Sequence, residues 1–212
     1  LDKVIQFCKD HNYTYDFQAS KFYGLPFEVN EQISLEGVKD YMNAICKYSP
    51  RSYQVEGVYD ALRHNRKLLI SPTASGKSLM IYSIVRYFVE RGKNTLIVVP
   101  TTSLVEQMYK DFADYGWDVG SFCHKIYAGK ERETDSQVII TTWQSIYKLP
   151  RKYFERFSVV IGDEAHQFKS KSLVSIMTKL ADAKYRYGFT GTLDGTQTHK
   201  WVLEGLFGPS YK

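Results

Sequence analysis

The sequence predicts an α/β fold, a parallel β-sheet flanked by helices, because short apolar or β-prone runs alternate along the chain with segments of helical periodicity. The runs are continuously apolar rather than alternating, which is typical of strands that are buried on both faces. The predicted strands are residues 67–70, 95–99, 137–140, 158–161 and 185–189, and the predicted helices are residues 78–91, 104–115 and 172–180. In such a sheet, ligands bind at the carboxyl ends of the strands.

The composition allows one α/β domain and a smaller attachment, because 43% of the 212 residues are hydrophobic. The sequence has neither a run of about 18 apolar residues nor a secretory leader, so we expect a cytoplasmic protein. Leu1 stands where a Met would begin a gene product, which indicates a processed or excised fragment. Cys8, Cys46 and Cys123 are far apart and lack metal-binding spacing, so we expect reduced thiols.

The first 49 residues have a different pattern from the rest of the chain. Residues 1–11 and 34–48 have the apolar spacing of helices, and the Tyr-rich residues 13–17 predict a strand. We therefore predict a small α+β segment over residues 1–49 and the α/β domain over residues 50–212. The net charge of +5 suits a polyanionic partner without requiring one.

A phosphate-binding loop is predicted where one strand ends and a helix begins, because backbone N–H groups and the helix dipole face phosphate oxygens there. Its residues are Ser71, Pro72, Thr73, Ala74, Ser75, Gly76, Lys77 and Ser78. Gly76 permits close approach, Lys77 reaches the β- and γ-phosphates, and the Ser78 hydroxyl can ligate Mg²⁺. The usual pattern begins with glycine, and Ser71 departs from it. A plain strand-to-helix turn is the alternative interpretation.

An acidic sequence, Asp163-Glu164-Ala165-His166, follows another predicted strand. Adjacent carboxylates at such a strand end can have two different roles: Asp163 holds Mg²⁺, and Glu164 orients and polarises the attacking water. His166 lies where it can sense the γ-phosphate. A solvated turn or a helix N-cap is the alternative for this sequence alone. With the phosphate loop upstream, the two motifs predict an ATP-driven motor that uses Mg²⁺.

This set of motifs resembles the first RecA-like domain of superfamily 2 helicases, over roughly residues 48–212, and within that superfamily it is similar to the recombination and repair helicases of phages. The resemblance implies an ATP-dependent DNA helicase that remodels branched DNA in recombination, replication and repair, in the host cytoplasm. Its implied partners are single-stranded, forked or branched DNA and a second RecA-like domain of the same chain. The residues alone indicate only a nucleic-acid-dependent NTPase.

The resemblance assigns further roles. Arg51 and Gln54 match the motif that reads the adenine edge, for which the Gln54 amide offers both a donor and an acceptor. Residues matching motifs that contact the nucleic-acid backbone are Pro100, Thr101, Thr102, Thr141, Thr142, Trp143 and Gln144. Thr190 and Thr192 match the motif that couples the nucleotide state to nucleic-acid binding. His166 is assigned to the same coupling role. Ordinary helix N-caps, a turn and a core tryptophan are the alternatives.

Other functional classes stay open at this point. A small-molecule kinase also has a phosphate loop, a degenerate domain could bind DNA without hydrolysis, and a restriction-type translocase shares the same motor. The family's arginine finger belongs to a second domain that the 212 residues do not supply. Because such arginines are worth about 10³ to 10⁵ in rate, we expect this chain alone to bind nucleotide weakly and to hydrolyse it poorly.

Overall fold

The computed structural model describes residues 2–16, 28–72, 75–128, 134–167, 170–191 and 197–211. Its helices are α1 (Asp2–Asp10), α2 (Leu35–Ile45), α3 (Ser52–Arg63), α4 (Lys77–Val89), α5 (Thr102–Asp114), α6 (Val119–Phe122), α7 (Trp143–Ile146), α8 (Arg151–Phe154), α9 (Ser170–Lys179) and α10 (Gln197–Phe207). Its strands are β1 (Arg66–Ile70), β2 (Thr95–Val99), β3 (Cys123–Ile126), β4 (Val138–Thr142), β5 (Val159–Gly162), β6 (Tyr185–Thr190) and β7 (Ser210–Tyr211). A 3₁₀ turn spans Ala165–Gln167.

The strands form one parallel sheet within the described residues, in the order β3-β4-β2-β5-β6-β1-β7. The predicted α/β fold is therefore confirmed. Ile70 at the end of β1 lies opposite Thr190 at the end of β6, and Val98 of β2 lies opposite Gly162 of β5. The register brings the segments that follow these strands to one edge of the sheet.

Helices cover both faces of the sheet. Leu69 and Ile97 belong to one core, with buried residues of α2, α3, α4 and α5, whereas Leu68 and Leu96 belong to a second core with α9 and α10. Successive residues of a strand point to opposite faces, so strands buried on both sides are apolar at most positions rather than at alternate ones. This explains the continuous apolar runs in the sequence.

Five of the seven strands were predicted within two residues of their observed ends. The strand predicted at residues 13–17 is wrong: residues 13–16 have no regular secondary structure, and Phe17 lies outside the described residues. The edge strands β3 and β7 were missed. β3 carries half-exposed His124 and Lys125, and β7 has only two residues, so neither gives an apolar run.

The amino-terminal segment packs on the α/β core through α2. Val38 and Met42 of α2 are buried in the core shared with α4, and Ile45 accepts a hydrogen bond from the Tyr82 hydroxyl at 2.7 Å. Val29 forms an antiparallel bridge with His64. No helix in the described ranges is long and apolar enough to cross a bilayer.

Candidate nucleotide-binding site

The predicted phosphate loop connects β1 to α4, although Thr73 and Ala74 lie outside the described residues. Gly76 forms the N-cap of α4 with a φ of 74°, in the left-handed region that glycine adopts without steric cost. A β-carbon on Gly76 would collide with the Nε2 atom of Gln54. The position therefore needs glycine for its conformation and for the close approach of Gln54.

Ser71 occupies the place where the usual pattern has glycine, and its contacts explain why serine fits. Ser71 has no positive φ, so it does not need the freedom of glycine. Its N–H donates to the Thr190 carbonyl at 2.9 Å, and its hydroxyl is hydrogen-bonded to the Ser75 hydroxyl across the loop. The Ser75 N–H donates to the Pro72 carbonyl at 3.2 Å. These bonds fix both ends of the loop.

Lys77 and Glu164 form an ion pair between Nζ and Oε1. Their side chains are only 11% and 17% exposed, so water screens the pair weakly. The pair joins the first residue of α4 to the segment that follows β5. Glu164 has a φ of 49°, a conformation that costs a residue with a β-carbon about 1 to 2 kcal/mol. Backbone strain of this kind clusters at functional sites, which supports Glu164 as a candidate catalytic residue.

The Asp163 carboxylate is buried beside this pair, at 7% exposure. Burial raises the pKa of Asp163 to about 6; the positive charge of Lys77 opposes this shift, and the negative charge of Glu164 adds to it. Asp163 Oδ1 accepts the Glu164 backbone N–H at 2.9 Å. The Asp163 N–H donates to the Val98 carbonyl at 3.0 Å, which ties the residue to β2.

His166 connects Glu164 to β6. Its Nδ1 lies 2.8 Å from the Thr190 hydroxyl and 3.4 Å from Glu164 Oε2. Thr190 also contacts the phosphate loop: its carbonyl accepts a hydrogen bond from the Ser71 N–H. The acidic sequence, the end of β6 and the loop are therefore linked by direct contacts. Thr192, the third residue predicted to couple these parts, lies outside the described residues.

The Ser78 hydroxyl, predicted as a metal ligand, contacts the carboxyl-terminal end of α5. Ser78 Oγ lies 2.6 Å from the Tyr115 hydroxyl. Burial raises the pKa of the Asp111 carboxyl, and the proximity of the Ser78 hydroxyl opposes this rise. Burial likewise raises the pKa of Tyr115. Sequence reasoning singled out neither Asp111 nor Tyr115.

Gln54, predicted to read adenine, lies under the phosphate loop. Its Nε2 donates to the Ser75 carbonyl at 3.0 Å, and its Oε1 accepts the Arg51 N–H at 2.9 Å. A carboxamide has two donor hydrogens and two acceptor lone pairs, so one of each remains for a ligand. The Tyr53 hydroxyl donates to the same Ser75 carbonyl at 2.8 Å, and Arg51 donates to that hydroxyl.

A cavity of about 320 Å³ opens beside this group. Tyr53 and Ser75 line it on the loop side, and Leu69, Met80 and Tyr211 supply apolar walls. Cavities of this size and mixed polarity are typical of small-molecule sites.

The residues predicted to contact nucleic acid are divided by their exposure. Thr101, Thr102 and Gln144 are exposed, and Gln144 Nε2 donates to the carbonyl of buried Pro100 at 3.2 Å. Thr101 is also the N-cap of α5, where its Oγ1 accepts the Leu104 N–H at 3.4 Å.

The other three residues of this group point inward. Thr141 and Thr142 are buried, and their hydroxyls bond to the Thr142 carbonyl and the Ser145 hydroxyl. Trp143 is half-buried and packs against Tyr147 with ring centroids 5.8 Å apart. These side chains therefore bond and pack within the protein, unlike the exposed ones.

The donor set fits Mg²⁺ rather than a metal held by the protein alone. The described residues contain no cluster of three or more His, Cys, Asp and Glu ligands. Mg²⁺ is commonly held by one or two carboxylates together with substrate phosphates and water. One buried carboxylate, Asp163, beside a phosphate loop that carries the Ser78 hydroxyl meets that requirement.

Sequence reasoning missed Tyr53, Asp111 and Tyr115. Tyr53 sits between Arg51 and Gln54, so its position could have pointed to it. Asp111 lies on α5 and Tyr115 caps its carboxyl-terminal end, 33 and 37 residues after Ser78, and only tertiary packing brings Tyr115 to the Ser78 hydroxyl.

The sheet order, the phosphate loop and the acidic sequence define a RecA-like domain of the superfamily 2 helicase type. Residues 47–195 match the family model described as "Type III restriction enzyme, res subunit". This match covers more than half of the chain, and the chain belongs to that family.

Individual relatives agree with this assignment. The chain is 31% identical over 193 residues to the ATP-dependent DNA helicase uvsW of Enterobacteria phage T4, covering 86% of this chain and 38% of that protein. It is 32% identical over 164 residues to the DNA 3'-5' translocase XPB2 of Sulfurisphaera tokodaii, covering 77% of this chain and 35% of that protein. The chain thus spans little more than a third of the length of these relatives.

Solved structures show the same similarity. The crystal structure of the UvsW helicase from bacteriophage T4 matches with a TM-score of 0.84 at 29% identity, over 100% of this chain and 77% of that one. The Sulfolobus solfataricus SWI2/SNF2 ATPase core in complex with dsDNA matches with a TM-score of 0.64 at 17% identity, over 77% of this chain and 37% of that one. The second likeness concerns the fold alone.

Proposed function

We propose that this chain is the nucleotide-binding part of an ATP-dependent DNA helicase or translocase that remodels branched DNA in recombination, replication and repair. The observation that carries the proposal is the convergence of Lys77, Asp163 and Glu164 at one edge of the sheet. The helicase and translocase named among the relatives support the same activity. A restriction-type translocase is the alternative, because the matched family model carries that description.

In the proposed nucleotide-bound state, Lys77 leaves Glu164 and pairs with the β- and γ-phosphates of ATP. Glu164 is then free to orient the attacking water and to accept its proton on a carboxylate oxygen. Gln54 uses its remaining donor and acceptor to read adenine, and the neighbouring cavity that Tyr53 lines accommodates the base. The ion pair thus keeps Lys77 and Glu164 bound to each other until nucleotide binds.

Asp163 and Ser78 would hold Mg²⁺. When bound, this ion neutralises charge on the phosphates during transfer. The contribution of the chain is to keep the Asp163 carboxylate ionised and in place, which the Lys77 charge and the Glu164 N–H both favour.

His166 and Thr190 would report the state of Glu164 to the nucleic-acid surface. Any movement of Glu164 away from Lys77 changes the 3.4 Å contact with His166 and thereby the bond to Thr190. Exposed Thr101, Thr102 and Gln144 are the residues we assign to the DNA backbone, and Thr192 is the further coupling residue.

We also propose that residues 1–49 form a small leading segment and that residues 50–212 are the first RecA-like domain. The start of the matched family range at residue 47 supports this boundary. A second RecA-like domain that supplies an arginine to the γ-phosphate would complete the site. The greater length of the relatives supports the proposal of this second domain. Hydrolysis by the 212 residues alone should accordingly be slow.

The test is ATP hydrolysis by the full-length protein with single-stranded, duplex and forked DNA and with RNA, across a salt series. We expect DNA to stimulate hydrolysis, forked DNA most strongly, and stimulation to weaken as salt rises. Hydrolysis indifferent to every nucleic acid would contradict the proposal and favour a small-molecule kinase. Full DNA-stimulated turnover by the 212-residue chain would contradict the need for a second domain.

A further inference from the structure

A second cavity, of about 630 Å³, lies at the amino-terminal edge of the sheet, where the strands begin. Residues 62–65 line it just before β1, Lys93 lines it just before β2, and Lys184 and Tyr185 line it at the start of β6. Residues 28–32 of the amino-terminal segment also line it. The phosphate loop follows the other end of β1, and the five residues of that strand span roughly 16 Å. The cavity is therefore separate from the nucleotide-binding site.

The arginines and lysines of the lining outnumber its carboxylates. The cations are Arg63, Arg91, Lys93 and Lys184, and the carboxylates are those of Glu28 and Glu31. Glu28 pairs with Lys184 at 2.6 Å, and Glu31 pairs with Arg63 at 3.0 Å. Within the described residues, Arg91 and Lys93 form no ion pair. Their two positive charges attract an anionic ligand and repel a cationic one.

Tyrosine rings hold these two cations in place. The Arg91 guanidinium carbon lies 3.5 Å from the centre of the Tyr87 ring, and Arg91 Nη1 donates to the Tyr87 carbonyl at 2.8 Å. Lys93 Nζ lies 5.6 Å from the centre of the Tyr185 ring. The Tyr185 ring packs on buried Phe88 with ring centroids 4.5 Å apart. Because a ring face attracts a cation without neutralising it, both charges stay available to a ligand.

The charge, size and exposure of the cavity fit a nucleic-acid strand better than a small anion. Arg91 is exposed and Lys93 is half-buried, so both can be reached from outside the protein. A strand repeats its phosphates at a fixed spacing and can pair with both cations at once, whereas a single phosphate ion fills little of the cavity. Cationic grooves with aromatic side chains are typical of sites that bind single-stranded nucleic acid along its backbone.

We propose that this cavity is a second nucleic-acid contact, in which Arg91 and Lys93 bind phosphates of a single strand. The inference goes beyond the proposed function, which places nucleic acid at the other edge of the sheet, beside Thr101 and Gln144. Contact surfaces at opposite edges would let one domain hold two arms of a branched substrate.

The experiment measures binding of the 212-residue chain to a labelled oligothymidylate by fluorescence anisotropy across a salt series. Loss of two phosphate contacts to a single strand should lower the slope of log affinity against log salt by about 1.4. We expect this change for the double variant Arg91→Gln, Lys93→Gln, together with about 20-fold weaker binding at low salt. Arg91→Lys keeps the positive charge and should keep the slope.

The double variant Arg151→Gln, Lys152→Gln is the matched control, because it removes the same charge from exposed residues of α8. That helix packs on the other face of the sheet: its Phe154 lies in the second core, whereas Phe88 of α4 lies in the first. The control should leave the slope unchanged. Thermal unfolding of both double variants checks that they are folded.

Acetylation of lysines, read by mass spectrometry, locates the bound strand. Saturating oligothymidylate should protect Lys93 and leave Lys152 reactive. A reactive Lys93 under these conditions, or equal effects of the two double variants on the slope, would overturn the inference. Equal protection of Lys93 by inorganic triphosphate, at the same concentration of phosphate groups, would also overturn it in favour of a site for free phosphates.

Nucleotide affinity separates this inference from the proposed function. Both double variants should bind an ATP analogue like the wild type, because the cavity and the phosphate loop lie at opposite edges of the sheet. A failed test of the cavity with intact nucleotide binding would therefore leave the proposed function standing. Loss of nucleotide binding in the folded Arg91→Gln, Lys93→Gln variant would contradict the separation of the two sites.

Discussion

The Lys77 ammonium is paired with the Glu164 carboxylate across the edge of the sheet, so the two side chains proposed to act on the γ-phosphate neutralise each other before nucleotide binds. Each is largely shielded from water. A nucleotide must therefore replace Glu164 as the partner of Lys77. The exchange makes the catalytic carboxylate available only when the phosphates are in place.

Glu164→Gln should separate binding from hydrolysis. Glutamine keeps the shape of the side chain but cannot take a proton from water, so we expect hydrolysis by the full-length protein to fall by about 10² to 10⁴. Nucleotide affinity should be equal or higher, because no carboxylate competes for Lys77. Steady-state hydrolysis and a nucleotide titration check both parts. Glu155→Gln, an exposed change elsewhere, is the control, and a Glu164→Gln enzyme with normal turnover would refute the role.

Asp163→Asn should stabilise the nucleotide-free protein at neutral pH. The pKa of Asp163 is raised by burial from 3.8 to about 6, so the folded state binds the proton more tightly than the unfolded chain. Stability is accordingly lost as pH rises between these two values. The variant lacks this loss and should be more stable by about 1 to 3 kcal/mol at about pH 7, with little difference at about pH 4.

Urea unfolding of both proteins without metal, at the two pH values, measures this difference. Comparing the proteins at each pH removes the contribution of other titrating groups. An Asp163→Asn protein that is less stable than the wild type at neutral pH would contradict the account of the burial cost.

Gly76→Ala should harm the site more than its backbone strain alone predicts. Gly92 provides a matched control, since its φ is 68° and a β-carbon there meets nothing within 4 Å. Gly92→Ala should cost about 1 kcal/mol through the left-handed backbone. Gly76→Ala pays the same cost and also displaces Gln54, so it should be less stable still and should bind nucleotide more weakly. Thermal unfolding and a nucleotide titration test this, and equal effects of the two changes would refute the steric argument.

Gln144→Glu should weaken DNA binding by charge. Gln144 is exposed beside the loop that follows β2, where we place the DNA backbone. A new carboxylate within about 4 Å of a phosphate costs about 1 kcal/mol, which corresponds to about fivefold in affinity at low salt. Fluorescence anisotropy with single-stranded DNA measures it. Gln32→Glu makes the same charge change at another exposed position, and an equal loss there would point to net charge rather than to the site.

The strands and the residues at their ends could be predicted because they depend on local pattern. Largely apolar runs identified β1, β2, β4 and β5, and β-prone residues identified β6; the sheet then required Lys77 and Asp163 to lie at the same edge. The tyrosines of residues 13–16 were wrongly read as a strand because β propensity is expressed only when a partner strand is present.

Contacts between distant parts of the chain could not be predicted. The contact of Ser78 with Tyr115 at the end of α5, and the burial of Thr141 and Thr142, follow from how helices pack over the sheet. The hydroxyl bond between Ser71 and Ser75 likewise depends on the shape of the loop. A single sequence records none of these relationships.

The most direct test of the central claim is calorimetric titration of the 212-residue chain with a slowly hydrolysed ATP analogue and Mg²⁺, comparing Lys77→Met with Lys93→Met. Lys93 precedes β2 at the opposite edge of the sheet and serves as the control. We predict that Lys77→Met weakens binding at least about tenfold, or 1.4 kcal/mol, and that Lys93→Met binds like the wild type. Wild-type affinity in a folded Lys77→Met protein would contradict the assignment of the nucleotide to this site.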